Sequence, residues 1–262
     1  MGALQHTPGA MHRPHIHPFA TAAEAAAASA ERFAELAREA VSRRGRFSVA
    51  LSGGTTPRAA YRLLAEEPFR SRIPWEGVHL FWGDERCVPP GHVRSNFRMA
   101  NDAFVSRVPV PPANVHRMRG EIPPHHGADE YAEELAEFFG TRTPRFDLVH
   151  LGVGADGHTC SLFPFDPLLL ERHGTVATAI LRPLGEPRIT FTLPVVNGAA
   201  HVEMLAPGAD KAEVVWKVLR GPRDPHRIPA QLVRPRDGEM VWLLDEAAAA
   251  RLGAGQEGES RA

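Results

Sequence analysis

What this 262-residue sequence has little of narrows its function first. Its two cysteines, Cys87 and Cys160, are too few for a disulfide framework. No charged opening segment followed by an apolar run and a small-residue cleavage site begins the chain, so a thiol-reducing, cytoplasmic setting is expected. Net charge is nearly absent too: 30 Lys+Arg against 31 Asp+Glu leave −1 at pH 7. A chain without an overall field is not steered to DNA, RNA or an anionic membrane, so no nucleic-acid or membrane partner is expected and an anionic ligand must be caught by a local site. Long apolar runs are missing: Val78-His79-Leu80-Phe81-Trp82 falls far short of the ~18 consecutive residues that suggest a bilayer span, and a soluble protein is expected. Metal-ligand spacing is missing as well, because the His15/His17 and His125/His126 pairs have no acidic or cysteine companions; no metal is expected. Lysine is scarce, with Lys211 and Lys217 standing against 28 arginines.

What is present is the composition of an ordinary globular protein, 43% hydrophobic and 23% charged, long enough to bury a core without disulfides or metal. Residues 1–18, with His6, His12, His15 and His17 among Pro and Gly, read as a flexible tail entering a first strand. The Ala-rich stretch Thr21 to Arg44, with Phe33, Leu36, Ala40 and Val41 at three-and-four spacing, predicts an amphipathic helix ended by Gly45. Phe47 to Leu51 reads as a buried strand, followed by Ser52-Gly53-Gly54-Thr55-Thr56-Pro57 and a helix to about Glu66, with Thr56 as cap and Pro57 at the first position. A second unit pairs strand Val78 to Trp82 with the loop Gly83-Asp84-Glu85-Arg86 and a helix from about Asn96 to Val105. A third runs through a helix Ala128 to Phe139, a strand Phe146 to Leu151 and a loop Gly152 to Thr159. Further strands are expected near Val176–Ile180, Arg188–Leu193, His201–Leu205 and Met240–Leu244, with helices at Asp210–Leu219 and Glu246–Leu252. Strands alternating with helices predict an α/β fold, a mostly parallel sheet with helices on both faces, in one domain over residues 19–252 followed by a flexible tail over 253–262. In such folds ligands sit at the carboxyl ends of the strands, where the three named loops fall.

The loop Ser52 to Thr56 joins a strand to a helix N-terminus, where free N–H groups and the helix dipole favour an anion and glycines allow close approach. It lacks the Gly-Lys-Ser/Thr ending of a nucleotide P-loop, so a triphosphate is disfavoured; a tight turn with no ligand fits the loop equally well. Gly152-Val153-Gly154-Ala155-Asp156-Gly157 matches the spacing of a dinucleotide fingerprint, but His158-Thr159-Cys160-Ser161-Leu162-Phe163-Pro164 follows where a regular helix should begin. The same glycines serve better as a loop that exposes Asp156 and His158. A neutral imidazole takes a proton from water, and a neighbouring carboxylate orients it and stabilises the imidazolium. Arg86 matches a bidentate phosphate clamp or an ion pair with Asp84 or Glu85. Arg188 and Lys211 are further cationic candidates, each by itself no more than a surface charge. Nucleophilic catalysis lacks support: Ser52 is not in G-x-S-x-G, and Cys160 lies among apolar neighbours.

Together these loops resemble the 6-phosphogluconolactonase family. The resemblance spans about Thr21 to Ala249 and rests on Leu51-Ser52-Gly53-Gly54-Thr55-Thr56-Pro57, on Gly83-Asp84-Glu85-Arg86-Cys87-Val88-Pro89 with Ser95-Asn96, on Leu151 to Pro164, and on Pro229-Ala230-Gln231 with Trp242-Leu243-Leu244-Asp245. It implies a Rossmann-like α/β fold shared with glucosamine-6-phosphate deaminase, ribose-5-phosphate isomerase and CoA transferase-like proteins. It further implies hydrolysis of 6-phospho-D-glucono-1,5-lactone in the oxidative pentose phosphate pathway without a cofactor; a monomer or weak homo-oligomer is expected. By resemblance His158 is the base that activates water, with Asp156 beside it. Ser52, Gly53, Gly54, Thr55, Thr56, Asp84, Arg86, Arg188 and Lys211 then surround the phosphorylated substrate. Two departures stand out: Cys160 where the family usually has Ala, and His150 at a strand position usually aliphatic. An isomerase or deaminase on the same scaffold also needs a phosphate loop and a histidine. The deaminases carry Asp-Glu-Tyr where this chain has Asp84-Glu85-Arg86, and an acid where it has Leu162-Phe163-Pro164. A non-catalytic sugar-phosphate sensor is the third reading; the roughly 20 N-terminal residues are too few for a helix-turn-helix effector.

Overall fold

The computed structural model describes residues 14–181 and 185–253. Six parallel strands form the main sheet: β1 (His15–Phe19), β2 (Phe47–Leu51), β3 (Val78–Trp82), β5 (Leu148–Leu151), β8 (His201–Leu205) and β9 (Glu239–Asp245), in the order β1-β9-β8-β5-β2-β3. Side chains alternate across it. Phe47, Val49 and Leu51 of β2 and Val78, Leu80 and Trp82 of β3 pack with Phe33 and Tyr61 on one face. Ala50, Phe81, Val149, Met204 and Trp242 pack with Tyr131, Leu135, Val214 and Val215 on the other. Helices Ala22–Arg44 and Thr55–Leu64 therefore cover one face, and Pro124–Phe139 and Ala212–Leu219 the opposite one. The fold is thus the expected parallel sheet with helices on both sides.

Several local expectations need correction. His15 to Pro18 do not belong to a tail: with Phe19 they pair in register with Val241 to Asp245, because β9 needs a neighbour for its outer edge. Gly83 to Arg86 is not wholly loop. Asp84–Arg86 is a short strand, β4, antiparallel to β7 (Glu186–Phe191), which pairs antiparallel with β6 (Val176–Leu181). These three strands make a separate sheet, in which the short connection between β6 and β7 makes them a hairpin and β4 adds from about a hundred residues upstream. The helix after β2 begins at Thr55 with Gly54 as cap, not Thr56, because Gly54 at φ 105° turns the chain into the helix one residue earlier. Helix Glu246–Ala249 stops short of Leu252, and Asp210 with Lys211 lies in a 3-10 turn before Ala212–Leu219. Gly45 ends the first helix as expected, with φ 74° and its N–H on the Val41 carbonyl. The expectations for residues 1–13, including His6 and His12, and for 254–262 lie outside the described residues. No helix among the described residues is long and apolar enough to cross a membrane.

Candidate active site

Every sequence-predicted candidate except Asp156 lines a single open cleft of about 310 Å³ at the carboxyl ends of β2 and β5. Asp156 stands directly behind the ring of His158, which is on the cleft wall. The first-turn N–H groups of helix Thr55–Leu64 have no intrahelical acceptor, and no side chain caps them. The Ser52 N–H is already engaged, donating to the Tyr61 hydroxyl at 2.9 Å, so the loop's donors for an anion begin at Gly53. A side chain at 53 is barred, because its Cβ would overlap the Asn96 amide.

The loop after β5 folds back on itself. Gly154 N–H donates to the His158 carbonyl at 2.9 Å and Gly157 N–H to the Gly154 carbonyl at 2.9 Å. Gly157 at φ 86° makes the bend, and a Cβ at 154 would overlap the His158 ring. His158 Nδ1 lies 2.6 Å from Asp156 Oδ1, which also accepts the His158 N–H at 3.1 Å. Half-burial raises the Asp156 pKa, but the hydrogen bond and charge of His158 outweigh it and hold the carboxyl below its usual range. A carboxylate only accepts, so Nδ1 carries the proton and Nε2 keeps the lone pair; this tautomer is assigned from the partner. Downstream residues brace the loop: Ala230 N–H donates to the Gly157 carbonyl at 2.9 Å. Gln231 ties Asp224, Lys217 and Pro222 together. Asp245 Oδ1 accepts from Gly208 N–H at 2.9 Å and so anchors the turn that carries Lys211, whose Nζ reaches the Val153 carbonyl at 3.2 Å.

The opposite wall is cationic. Arg86 and Arg188 face each other directly across β4 and β7, an arrangement that is repulsive unless an anion joins them. The Nε groups of both are buried and unpartnered, although Arg86 Nη1 donates to the Arg94 carbonyl at 2.5 Å and Arg188 Nη2 to Glu186 at 3.1 Å. Burial first, then the charge of Arg86, lowers the pKa of Arg188. Asp84 is not an ion-pair partner of Arg86: its Oδ2 accepts from Ser161 at 2.6 Å and its Oδ1 from Asn96 Nδ2 at 3.1 Å. Glu85 is buried and accepts from the N–H groups of Arg86, Asn96 and Phe97 and from the Ser95 hydroxyl, fixing the start of helix Asn96–Ala103. Burial nonetheless pushes its carboxyl up against these donors. Arg86 is thereby left free to meet a ligand.

Tyr61 lies outside every motif singled out in the sequence, whereas Asn96 and Ser161 lie within the motifs that carry the resemblance, which assigns them no role at the site. The Asn96 Oδ1 is buried without a partner at the cleft. Burial pushes the Cys160 thiol well above its ordinary value and that of Cys87 up to about 11, which removes both as thiolate nucleophiles. No three His, Cys, Asp or Glu side chains among the described residues group as a metal site.

Residues 20–242 match the family model described as glucosamine-6-phosphate isomerases/6-phosphogluconolactonase. A protein of Synechocystis sp. named 6-phosphogluconolactonase is 42% identical over 218 residues, covering 82% of this chain and 88% of its own length. The solved 6-phosphogluconolactonase from Trypanosoma cruzi superposes with a TM-score of 0.82 at 27% identity, over 92% of this chain and 97% of that one. A monomeric glucosamine-6-phosphate deaminase, 19% identical with a TM-score of 0.77 over 90% of this chain and 99% of that one, shares the fold alone. With the phosphate-type loop, the histidine loop and the facing Arg86 and Arg188 all inside the matched span, the chain belongs to the glucosamine-6-phosphate isomerase/6-phosphogluconolactonase family.

Proposed function

We propose that this protein is a cytoplasmic 6-phosphogluconolactonase that hydrolyses 6-phospho-D-glucono-1,5-lactone to 6-phospho-D-gluconate in the oxidative pentose phosphate pathway. The observation that carries the reading is the His158–Asp156 pair, 2.6 Å apart, on the wall of the cleft that also holds the facing Arg86 and Arg188. A base and an anion clamp share one cleft.

In this reading the phosphate lies among Arg86, Arg188, Lys211 and the N–H groups of Gly53 to Thr56, which orients the lactone ring toward His158. A water near Nε2 gives its proton to the imidazole as its oxygen attacks the C1 carbonyl, and Asp156 stabilises the imidazolium. Collapse of the tetrahedral intermediate breaks the C1–O5 bond, and the imidazolium returns the proton to O5. The sum is one water added across one ester bond. A lactone carbonyl is electrophilic enough that no acyl-enzyme is required, in keeping with the high thiol pKa values. The cleft also disfavours isomerase chemistry, which moves a proton between adjacent carbons. Asp84, the acidic side chain on the cleft wall, is already engaged by Ser161 and Asn96.

The test is consumption of freshly made 6-phospho-D-glucono-1,5-lactone, with spontaneous hydrolysis subtracted, by the parent protein and a folded His158→Ala variant. Acceleration by the parent and a near-background rate for the variant are expected. A parent that leaves the spontaneous rate unchanged overturns the reading and directs assays to glucosamine 6-phosphate deamination, then isomerisation, then binding without turnover.

A further inference from the structure

A second cavity, of about 430 Å³, opens at the other end of the sheet and has Arg142, Arg145, Arg172, Arg236 and His173 on its wall, with Asp237 as the one acid there. Arg142 and Arg145 precede β5, Arg236 precedes β9, and Arg172 with His173 precedes β6, so the cavity sits where strands begin and the catalytic cleft where they end. Strand β6 links the two, from Thr175 at the cavity to Leu181 in the cleft. Six steps at ~3.3 Å each put the two sites ~20 Å apart along that strand, too far for one small ligand to touch both.

Three of the four arginines are held in place by backbone carbonyls, which leave their charge unneutralised. Arg145 donates to the Gly198 and Asp237 carbonyls at 3.3 and 3.2 Å. Arg172 Nη1 donates to the Leu169 and Glu171 carbonyls, both at 3.0 Å, and Arg236 Nη2 to the Pro194 carbonyl at 3.4 Å. Arginines elsewhere on the surface, such as Arg43, Arg98, Arg117 and Arg227, are paired with carboxylates. Arg142, Arg145, Arg172 and Arg236 have no carboxylate ion pair among the described residues. The nearby Glu171 does not supply one. Its Oε1 accepts the N–H groups of Arg172, His173 and Gly174 at 2.7 to 2.9 Å, which stiffens the loop that presents Arg172 and His173. In a chain whose net charge is −1, four guanidiniums around one hollow are a local excess that overall composition conceals.

We propose that this cavity is a second anion site, separate from the catalytic cleft, that binds a small molecule carrying a pyrophosphate or two phosphate groups. Each guanidinium offers a planar fork matched to phosphate oxygens, and four forks suit two phosphates better than one. A concave site of this volume falls within the range of small-molecule pockets. Free pyrophosphate, a nucleoside diphosphate and a sugar bisphosphate share this chemistry.

Calorimetric titration of the full chain with inorganic pyrophosphate, ADP and a hexose bisphosphate tests the proposal and separates the three sources. One saturable site per chain is expected for at least one probe, retained in an Arg86→Ala/Arg188→Ala background that disables anion binding in the cleft. Affinity should fall about tenfold or more in Arg142→Ala/Arg236→Ala, while kcat and KM for the lactone stay at parent values. His173→Ala, which removes no hydrogen bond to the backbone, gives a second reading should the double variant unfold. The proposal is overturned by absence of saturable binding, by binding that disappears with the cleft arginines alone, by insensitivity to both cavity variants, or by inorganic phosphate binding as tightly as every probe.

Discussion

At the residue scale, the pairing of His158 with Asp156 and that of Arg86 with Arg188 make opposite demands. The first is satisfied before any substrate arrives: the carboxylate stays ionised below the usual carboxylate range and fixes the ring. Asp156→Asn removes the charge that stabilises the imidazolium, so kcat for the lactone should fall about tenfold or more while KM changes little; an unchanged kcat would remove Asp156 from this role. The arginine pair keeps two buried Nε groups unpartnered until an anion arrives. Losing one charged hydrogen-bond donor corresponds to about 1.5–3 kcal/mol, or about tenfold to a hundredfold in affinity. Arg188→Ala should raise KM for the phosphorylated lactone by that order and leave hydrolysis of unphosphorylated D-glucono-1,5-lactone little changed. Equal losses on both substrates would place Arg188 outside the phosphate contact.

At the scale of elements, the cleft depends on loops whose shape is set by small residues and by braces from far along the chain. Gly154→Ala should cut the rate severely while leaving the thermal midpoint near the parent's, because the new Cβ occupies the position of the His158 ring. A rate close to the parent's would mean that the ring has another working position. Tyr61 holds the phosphate-type loop from beneath: its hydroxyl accepts the Ser52 N–H at 2.9 Å and lies 3.4 Å from His150 Nδ1. Tyr61→Phe should destabilise the fold by about 1–3 kcal/mol, the scale for a buried N–H left without an acceptor, and raise KM more than it lowers kcat. Denaturant unfolding with initial-rate kinetics checks both. The Ser52-Gly53-Gly54 turn and the glycine loop before His158 were legible because glycine requirements are local. The role of Glu85 was not: its Asn96 and Phe97 partners lie more than ten residues away, and no spacing rule announces a carboxylate that caps another element's helix.

At the scale of the whole molecule, a polar chain runs through the face of the sheet that helix Ala22–Arg44 covers. Glu203 accepts from Ser29 at 2.5 Å, pairs with Arg32 at 3.2 Å and lies 3.5 Å from His150. Burial pushes the His150 pKa down to about 3 and the Glu203 pKa up to about 7. The two act with opposite sign. Unfolded His150 binds a proton below its ordinary 6.5, so its share of stability is intact above that value and declines as pH falls toward 3. Unfolded Glu203 loses its proton above its ordinary 4.5, so its share is intact below that value and declines as pH rises toward 7. Between these limits they offset one another. The urea midpoint should be nearly flat with pH there and fall below it, and Glu203→Gln should make the decline begin at higher pH, near the ordinary imidazole value. An unchanged onset would show that Glu203 is ionised throughout.

The order of strands and helices, the two-faced sheet, the anion-type loop and the exposed His158 could be read from the chain alone, because periodicity, caps and glycines act over a few residues. Contacts between distant residues settled the rest. Pairing with β9 turns residues expected in a tail into a strand, and pairing with β7 draws Asp84 to Arg86 out of the loop into a second sheet. That second pairing sets Arg86 against Arg188 across 102 residues, while ends of strands far apart in sequence gather the four arginines of the opposite cavity. Backbone hydrogen bonding between strands and the meeting of like charges are properties of neighbours in space, which a linear pattern does not record.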